Sequence, residues 1–278
     1  MNPAVGGLVV ALGLLTLVWV GSVVRRDASL VDRFWGAGFV VLAVYYWTTA
    51  EAASVQSGTA SAVVLGLVAL WGVRLSGYLT WRNWGHGEDY RYQAMRQKTG
   101  PKFWWTNLLT VHYLQAVIMW FVSLPLLAGL QGQASIRHPL VWLGFVLFAV
   151  GFYFEAAGDW QLTRFRANEA NRGRVLDSGV WRYTRHPNYF GDACLWWGFY
   201  GIAVAADGGW TVLSPLVMTG LLLKVSGVAL LEKKLVETKP QYRDYVARTS
   251  SFLPMPPRRS ATMSGAPPTD RGSAAPRA

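Results

Sequence analysis

The charged residues of this chain gather in short clusters between long apolar runs, and that alternation limits what the chain can fold into more than any other feature. A soluble domain spreads its charges along every element that meets water, whereas a polytopic membrane protein confines them to its connections. Seven apolar runs cover residues 3–23, 34–49, 62–81, 107–127, 140–158, 189–206 and 210–231. Each is close to the roughly 20 residues an α-helix needs to cross a bilayer. The pattern predicts an all-α polytopic membrane protein with seven transmembrane helices. The second run is short and can begin within the interface at Val31. The first has no basic stretch ahead of it, so it reads as a retained span and not as a signal peptide.

Orientation follows from lysine and arginine. The amino terminus and the connections 50–61, 128–139 and 207–209 together hold one basic residue, Arg137, of the 26 in the chain. Arg74 and Lys224 fall inside spans, and all other basic residues fall on the opposite side. Basic loops stay in the cytosol, which places the amino terminus outside and the carboxyl terminus inside. After Leu253 the composition turns to Pro, Ser, Gly, Ala and Arg. The expected organisation is one membrane domain, 1–253, and a disordered cytosolic tail, 254–278.

The net charge of +11 could suggest nucleic acid, but charges confined to loops between spans point to topology and to anionic lipid or phosphate instead. No nucleic-acid partner is expected. The 15 tryptophans fit the membrane interface. Cys194 is the sole cysteine, so no internal disulfide forms. Four histidines without HExxH spacing give no metal site.

The most informative connection is DWQLTRFRANEANRGRVLDSGVWRYTRHPNYFGD, residues 159–192. It holds Arg164, Arg166, Arg172, Arg174, Arg182 and Arg185, with Tyr183, His186, Asn188 and Tyr189 among them. Guanidinium forks suit phosphate, and amide and phenol groups suit a ribose or base edge. The bland reading is arginines reaching lipid headgroups. Asp177-Ser178-Gly179 marks a turn, and Pro187 suits the first position of a helix. Asn188 and Asp192 then share one face at the cytosolic mouth of the sixth span, where a carboxylate is costly without a partner.

A second polar stripe lies on the third span, where Trp71, Arg74, Tyr78 and Arg82 recur at helical spacing. Arg74 sits at hydrocarbon depth and needs a polar cavity or an anionic partner, such as Asp32 or Glu155. The following loop, which contains Tyr90, reads as a short amphipathic interface helix. Glu155 and Asp159 on the fifth span, His112 and Gln115 on the fourth, and Lys224 and Glu232 on the seventh are each commonly helix–helix hydrogen bonds. Together they suggest a polar cavity open to the cytosol. Neither GxGxxG nor GxxxxGK[ST] occurs, so a soluble Rossmann module is excluded and any nucleotide binds among helices.

With these blocks in view, the chain resembles the steroid 5α-reductase superfamily, above all its bacterial branch of uncharacterised membrane proteins. The likeness rests on SLVDRFWG (29–36), RNWGHGEDYRYQAMR (82–96), SGVWRYTRHPNYFGD (178–192), LLEKK (230–234) and QYRDYVARTSSFLP (241–254). It implies an integral protein of the bacterial inner membrane that binds NADPH from the cytosol and sends hydride to the β-carbon of a lipophilic conjugated carbonyl. By the same resemblance, Asp159, Arg166, Asn188 and Asp192 match the family's cofactor pattern, with Asp in place of Glu at 192. Arg74 and Tyr78 match an Arg-x-x-x-Tyr on the third span, and Tyr245 an aromatic near the end. Tyr183, Arg185, His186 and Tyr189 complete the expected cofactor set.

The sequence departs from that family at two points. Trp71 stands where the steroid enzymes place the tyrosine that holds the steroid carbonyl, and an indole is no phenolic acid. Their Gln-Glu pair on the second span is not evident, and Asp32 is the nearest carboxylate. Asp32, Tyr78 and Tyr90 are therefore the candidate catalytic residues, and testosterone-like steroids are not the expected substrates. Two other readings stay open. Arg185, His186, Pro187, Tyr189, Gly191 and Glu232 also fit a shorter pattern of isoprenylcysteine and phospholipid methyltransferases that use S-adenosylmethionine, although Asn188 is usually apolar there. A lipid-binding or transport protein is the third reading, but no internal repeat or matched pair of broken helices supports it.

Overall fold

A computed structural model describes residues 1–50, 60–225 and 241–258. Among the described residues the chain is all-helical, without strands. Helix α1, Pro3–Arg25, opens with Pro3 at its first position and the Asn2 side chain accepting from Ala4 N at 2.8 Å, which satisfies an otherwise orphaned amide. It ends at Arg26, held in the left-handed region. A short turn of helix, α2 (Leu30–Arg33), leads to α3, Trp35–Thr48. Then come α4, Ala60–Arg82, and α5, Tyr90–Thr99, the helix expected after the third span.

The fourth apolar run does not form one regular helix. It is divided among α6 (Phe103–Asn107), a π-helical turn at Leu108–Tyr113, α7 (Leu114–Val122) and α8 (Leu124–Gln131), and the axis bends by 41° before α8. Pro125 is the physical cause, because it removes an amide donor and its ring clashes with the preceding turn. Helix α9, Pro139–Ala167, runs well past the apolar stretch and carries Glu155, Asp159 and Arg166 on one continuous rod. Helix α10, Pro187–Val204, begins at the proline as expected. A 3-10 turn at Gly209–Val212, helix α11 (Leu213–Gly220) and a π-helical turn at Leu221–Val225 form the described start of the seventh run. Helix α12, Gln241–Arg248, lies near the end.

Three helices, α1, α4 and α9, are long and apolar enough to cross a membrane, or four if the bent pair counts as one span. Most of the 50–61 connection, the end of the seventh run with Glu232, and residues 259–278 lie outside the described residues. Residues 254–258 do not leave the domain. Met255 N donates to the Tyr183 carbonyl at 2.9 Å and Arg258 N to the Arg248 carbonyl at 2.8 Å.

Between helices in lipid, apolar side chains gain little over lipid tails, so close backbone approach and hydrogen bonds must hold them together. The α9–α10 seam shows how. Gly144, Gly151 and Gly158 on α9 recur every seventh residue and face Gly191 and Gly198 of α10 and Pro187. A Cβ on Gly151 would lie 2.5 Å from the Gly191 carbonyl oxygen, and one on Gly144 would lie 2.6 Å from that of Gly198. Where α3, α4 and α10 meet, Phe39, Trp71 and Trp196 form an aromatic core. Their ring centroids lie 4.6–5.6 Å apart. Both indoles are fully buried. The tryptophans thus divide between the interface expected for them and a core that hydropathy does not reveal.

Candidate functional site

The site is built where the glycine seam ends. Because α9 and α10 touch through backbone, the loop that joins them must fold back over the carboxyl-terminal end of α9. Trp181 Nε1 donates to the Gly158 carbonyl at 3.1 Å, and Val180 N donates to Gln161 Oε1 at 3.0 Å. The terminal segment clamps the loop from the other side. Arg185 N donates to the Ser250 carbonyl and Thr184 Oγ1 to that of Phe252, at 2.9 and 2.8 Å.

This clamp encloses a cavity of about 220 Å³. Arg82 at the end of α4, Arg166 at the end of α9, and Arg174 and Arg185 from the loop bring four guanidiniums to it, and His186, Asn188 and Tyr189 line it at the first turn of α10. Guanidiniums gathered around a space at the amino end of a helix favour an anion there. The His186 and Tyr189 rings stack at 5.4 Å.

Behind the cavity lies a buried polar network. Arg74 Nη1 donates to Glu155 Oε1 at 2.7 Å and Nη2 to Asp159 Oδ2 at 2.6 Å. Trp71 Nε1 donates to the other Glu155 oxygen at 2.9 Å. Asn188 lines the cavity and lies within electrostatic reach of Asp159, so it stands between cavity and network. Asp192 stands one turn deeper, within electrostatic reach of Glu155 and Asp159. Its Oδ1 is buried without a hydrogen-bond partner among the described residues.

Of the expected cofactor residues, Arg166, Arg185, His186, Asn188, Tyr189 and Tyr245 come together around the cavity. Arg74, Asp159 and Asp192 belong to the network behind it. Two of the cavity residues also carry structure. Arg185 Nη1 donates to the Val246 and Thr249 carbonyls, at 3.1 and 2.5 Å. The Tyr245 hydroxyl donates to the Trp181 carbonyl at 2.5 Å; burial pushes this phenol above its ordinary value, which keeps it a donor. Tyr183 is 44% exposed and lies outside the cavity lining.

The three candidate catalytic residues are not brought together. Asp32 pairs with Arg91 at 3.0 Å and accepts from Tyr92 Oη at 2.8 Å. Burial nevertheless holds its carboxyl above the usual range. The Tyr78 hydroxyl lies 3.2 Å from Thr163 Oγ1, and its ring sits between the Arg74 and Arg82 guanidiniums. Tyr90 is 63% exposed at the start of α5. Arg74 takes Glu155, one of its two expected partners, and adds Asp159. Arg82, Arg174 and Trp181 were missing from the expected set. Arg82 could have been found as the last member of the Trp71–Arg74–Tyr78 stripe. Among the described residues, no three His, Cys, Asp or Glu are placed to hold a metal ion.

Comparison with known proteins agrees with the sequence blocks. The family described as "protein of unknown function (DUF1295)" matches residues 18–249. An uncharacterized protein of Schizosaccharomyces pombe is 26% identical over 280 residues, covering 91% of this chain and 80% of its own length. The probable O-methyltransferase ustE of Ustilaginoidea virens is 32% identical over 77 residues, 28% of this chain and 26% of its own length. No solved structure matches the chain at a significant level. The chain belongs to the DUF1295 family, part of the steroid 5α-reductase-like, methyltransferase-related group.

Proposed function

We propose that the protein is a seven-span membrane reductase, with its amino terminus outside and its carboxyl terminus in the cytosol, that takes NADPH from the cytosolic side and reduces a polarised double bond in a lipophilic substrate. The observation that carries this reading is the convergence of Arg82, Arg166, Arg174 and Arg185 on one cavity at the first turn of α10. Guanidiniums suit phosphate oxygens by charge and by their paired N–H donors. A dinucleotide with a 2′-phosphate supplies several negative charges on its phosphates, whereas a sulfonium cofactor has no phosphate and a single carboxylate. At about 220 Å³ the cavity is smaller than pockets that enclose a whole ligand, roughly 300–1,000 Å³. It suits one end of a dinucleotide, with the remainder along the arginine rim.

The cofactor's contribution is hydride transfer to the β-carbon of the acceptor. The chain must hold both molecules, keep water away and give a proton to the oxygen or α-carbon that takes up the electron pair. Trp71 cannot give that proton, since its N–H is committed to Glu155. Tyr189 is better placed than Tyr78 or Tyr90. It lines the cavity, and Arg91, Arg82, Asp192 and Asp159 all lie within its electrostatic reach. The substrate reaches the site from the bilayer.

NADPH oxidation over a panel of membrane-soluble enones tests the reading. We expect turnover of a non-steroidal member, weak turnover of testosterone-like steroids, and a loss of about 10²–10⁴-fold in kcat for Tyr189→Phe with NADPH affinity retained. Retention of kcat by Tyr189→Phe would remove the phenol from the chemistry.

A second reading, a membrane methyltransferase using S-adenosylmethionine, is supported by the partial likeness to the probable O-methyltransferase and by Arg185, His186, Pro187, Tyr189 and Gly191. Glu232, its expected carboxylate, lies outside the described residues.

A further inference from the structure

On the other side of α4 from this cavity, a basic cleft and an apolar groove share a wall. The cleft, about 420 Å³, is lined by Arg25, Arg26, Arg33 and His86, with Asp27 and Glu88. The groove, about 570 Å³, lies between α3 and α4 and is lined by Phe34 and Ala37 on one side and Val73, Ser76, Gly77 and Thr80 on the other. Arg33 and Trp84 belong to both.

The charge in the cleft is not self-compensated. Asp27 is paired with Arg33 at 3.1 Å and Glu88 with Arg96 at 2.8 Å. Arg25 and Arg26 have no ion-pair partner among the described residues. Arg33 is nine-tenths buried and already pairs with Asp27, so it forms the wall between cleft and groove. The groove floor is apolar because its one deep hydroxyl, Ser76 Oγ, is spent accepting from Ala37 N at 2.8 Å. Below it, Gly36 and Gly72 bring α3 and α4 into backbone contact. Trp81 and Trp84, 60% and 71% exposed, stand at the rim, at the depth where indoles favour the membrane interface.

We propose that this composite surface is a binding site for one anionic phospholipid of the cytosolic leaflet. Its phosphate sits between Arg25 and Arg26, and one acyl chain fills the α3–α4 groove. Charge complementarity selects the headgroup, since basic residues beside a membrane surface attract anionic lipid. The groove, continuous with the cleft, selects a lipid over a free phosphate. The site is separate from the cavity at α10 and does not depend on the function proposed for it.

Two variants test the two halves. A Cβ at Gly77 meets nothing within 4 Å, so Gly77→Phe fills the groove without disturbing the α3–α4 contact. Arg25→Gln/Arg26→Gln removes the unpaired charges. Native mass spectrometry of protein released from vesicles of equimolar phosphatidylglycerol and phosphatidylcholine reads the retained lipid, with thermal unfolding as the check on folding. We expect wild type to keep one phosphatidylglycerol in preference to phosphatidylcholine. Each variant should reduce that species at least fivefold while the unfolding temperature stays within a few degrees. Equal retention of the two lipids by wild type, or an undiminished phosphatidylglycerol species in folded Gly77→Phe, would overturn the proposal.

Discussion

Charge is arranged differently at the two ends of this molecule. In the amino-terminal half, the loop acids are all taken up locally, Asp27 with Arg33, Asp32 and Asp89 with Arg91, Glu88 with Arg96, and Arg25 and Arg26 are left without an ion pair among the described residues. In the carboxyl-terminal half, Arg166, Arg174 and Arg185 surround a cavity, and the nearby carboxylates Glu155 and Asp159 are turned inward to a single guanidinium from the other half, Arg74. The difference teaches that where a loop's carboxylates lie, turned to the loop or turned into the helices, decides how many of its guanidiniums are held in local ion pairs.

The comparison breaks most visibly at Arg74, the residue that draws those carboxylates inward. Arg74→Met should cost about 3–5 kcal/mol, because it leaves Glu155 and Asp159 buried without their cation. Reversible unfolding in detergent measures it, and a cost under about 1 kcal/mol would mean the pair is not holding the two halves together. Next is the seam that brings the cavity into being. Gly151→Ala should cost toward the upper end of about 1–3 kcal/mol, since the added methyl meets backbone and no side chain can yield. Gly66→Ala, in open space on α4, is the control.

The self-paired end offers the smallest effect. Glu88 accepts from Arg96 Nε and Nη2 and from Ala28 N, at 3.0, 2.8 and 2.8 Å. Burial alone would raise its pKa, but these hydrogen bonds outweigh it and hold the carboxyl below its ordinary 4.5. A depressed pKa means stabilisation that is present above the unfolded value and lost as pH falls through the folded one. Glu88→Gln should therefore destabilise by about 1 kcal/mol at pH 7, and the gap from wild type should close on acidification below 4.5. A gap that widens in acid would contradict the sign.

Much of this was legible in the sequence. Apolar runs located α1, α4 and α9, Pro187 marked the start of α10, and the arginine-rich connection located the cavity. What the sequence withheld was pairing at a distance. Residue order offers Asp32 and Glu155 equally as partners for Arg74, and only the packing of α4 on α9 selects Glu155 and adds Asp159. Tyr78 and Asp32 read as candidate acids because their neighbours across helices, Thr163 and Arg91, are remote in sequence. The seven-residue recurrence of Gly144, Gly151 and Gly158 was visible, but hydropathy averages it away. The break in the fourth run was encoded by Pro125 inside an otherwise continuous apolar stretch.

The central claim is that the arginine-lined cavity receives a phosphorylated nucleotide. Calorimetric titration of detergent-solubilised protein with NADPH and, separately, with S-adenosylmethionine tests it most directly, in wild type, Arg166→Ala and Arg164→Ala. Arg164 stacks on Trp160 at 5.0 Å and does not line the cavity. We expect NADPH to bind wild type and Arg164→Ala alike and to bind Arg166→Ala more weakly by about 1.5–3 kcal/mol, roughly 10- to 150-fold, with no S-adenosylmethionine binding. Tight S-adenosylmethionine binding without NADPH binding, or equal NADPH affinity in all three proteins, would contradict it.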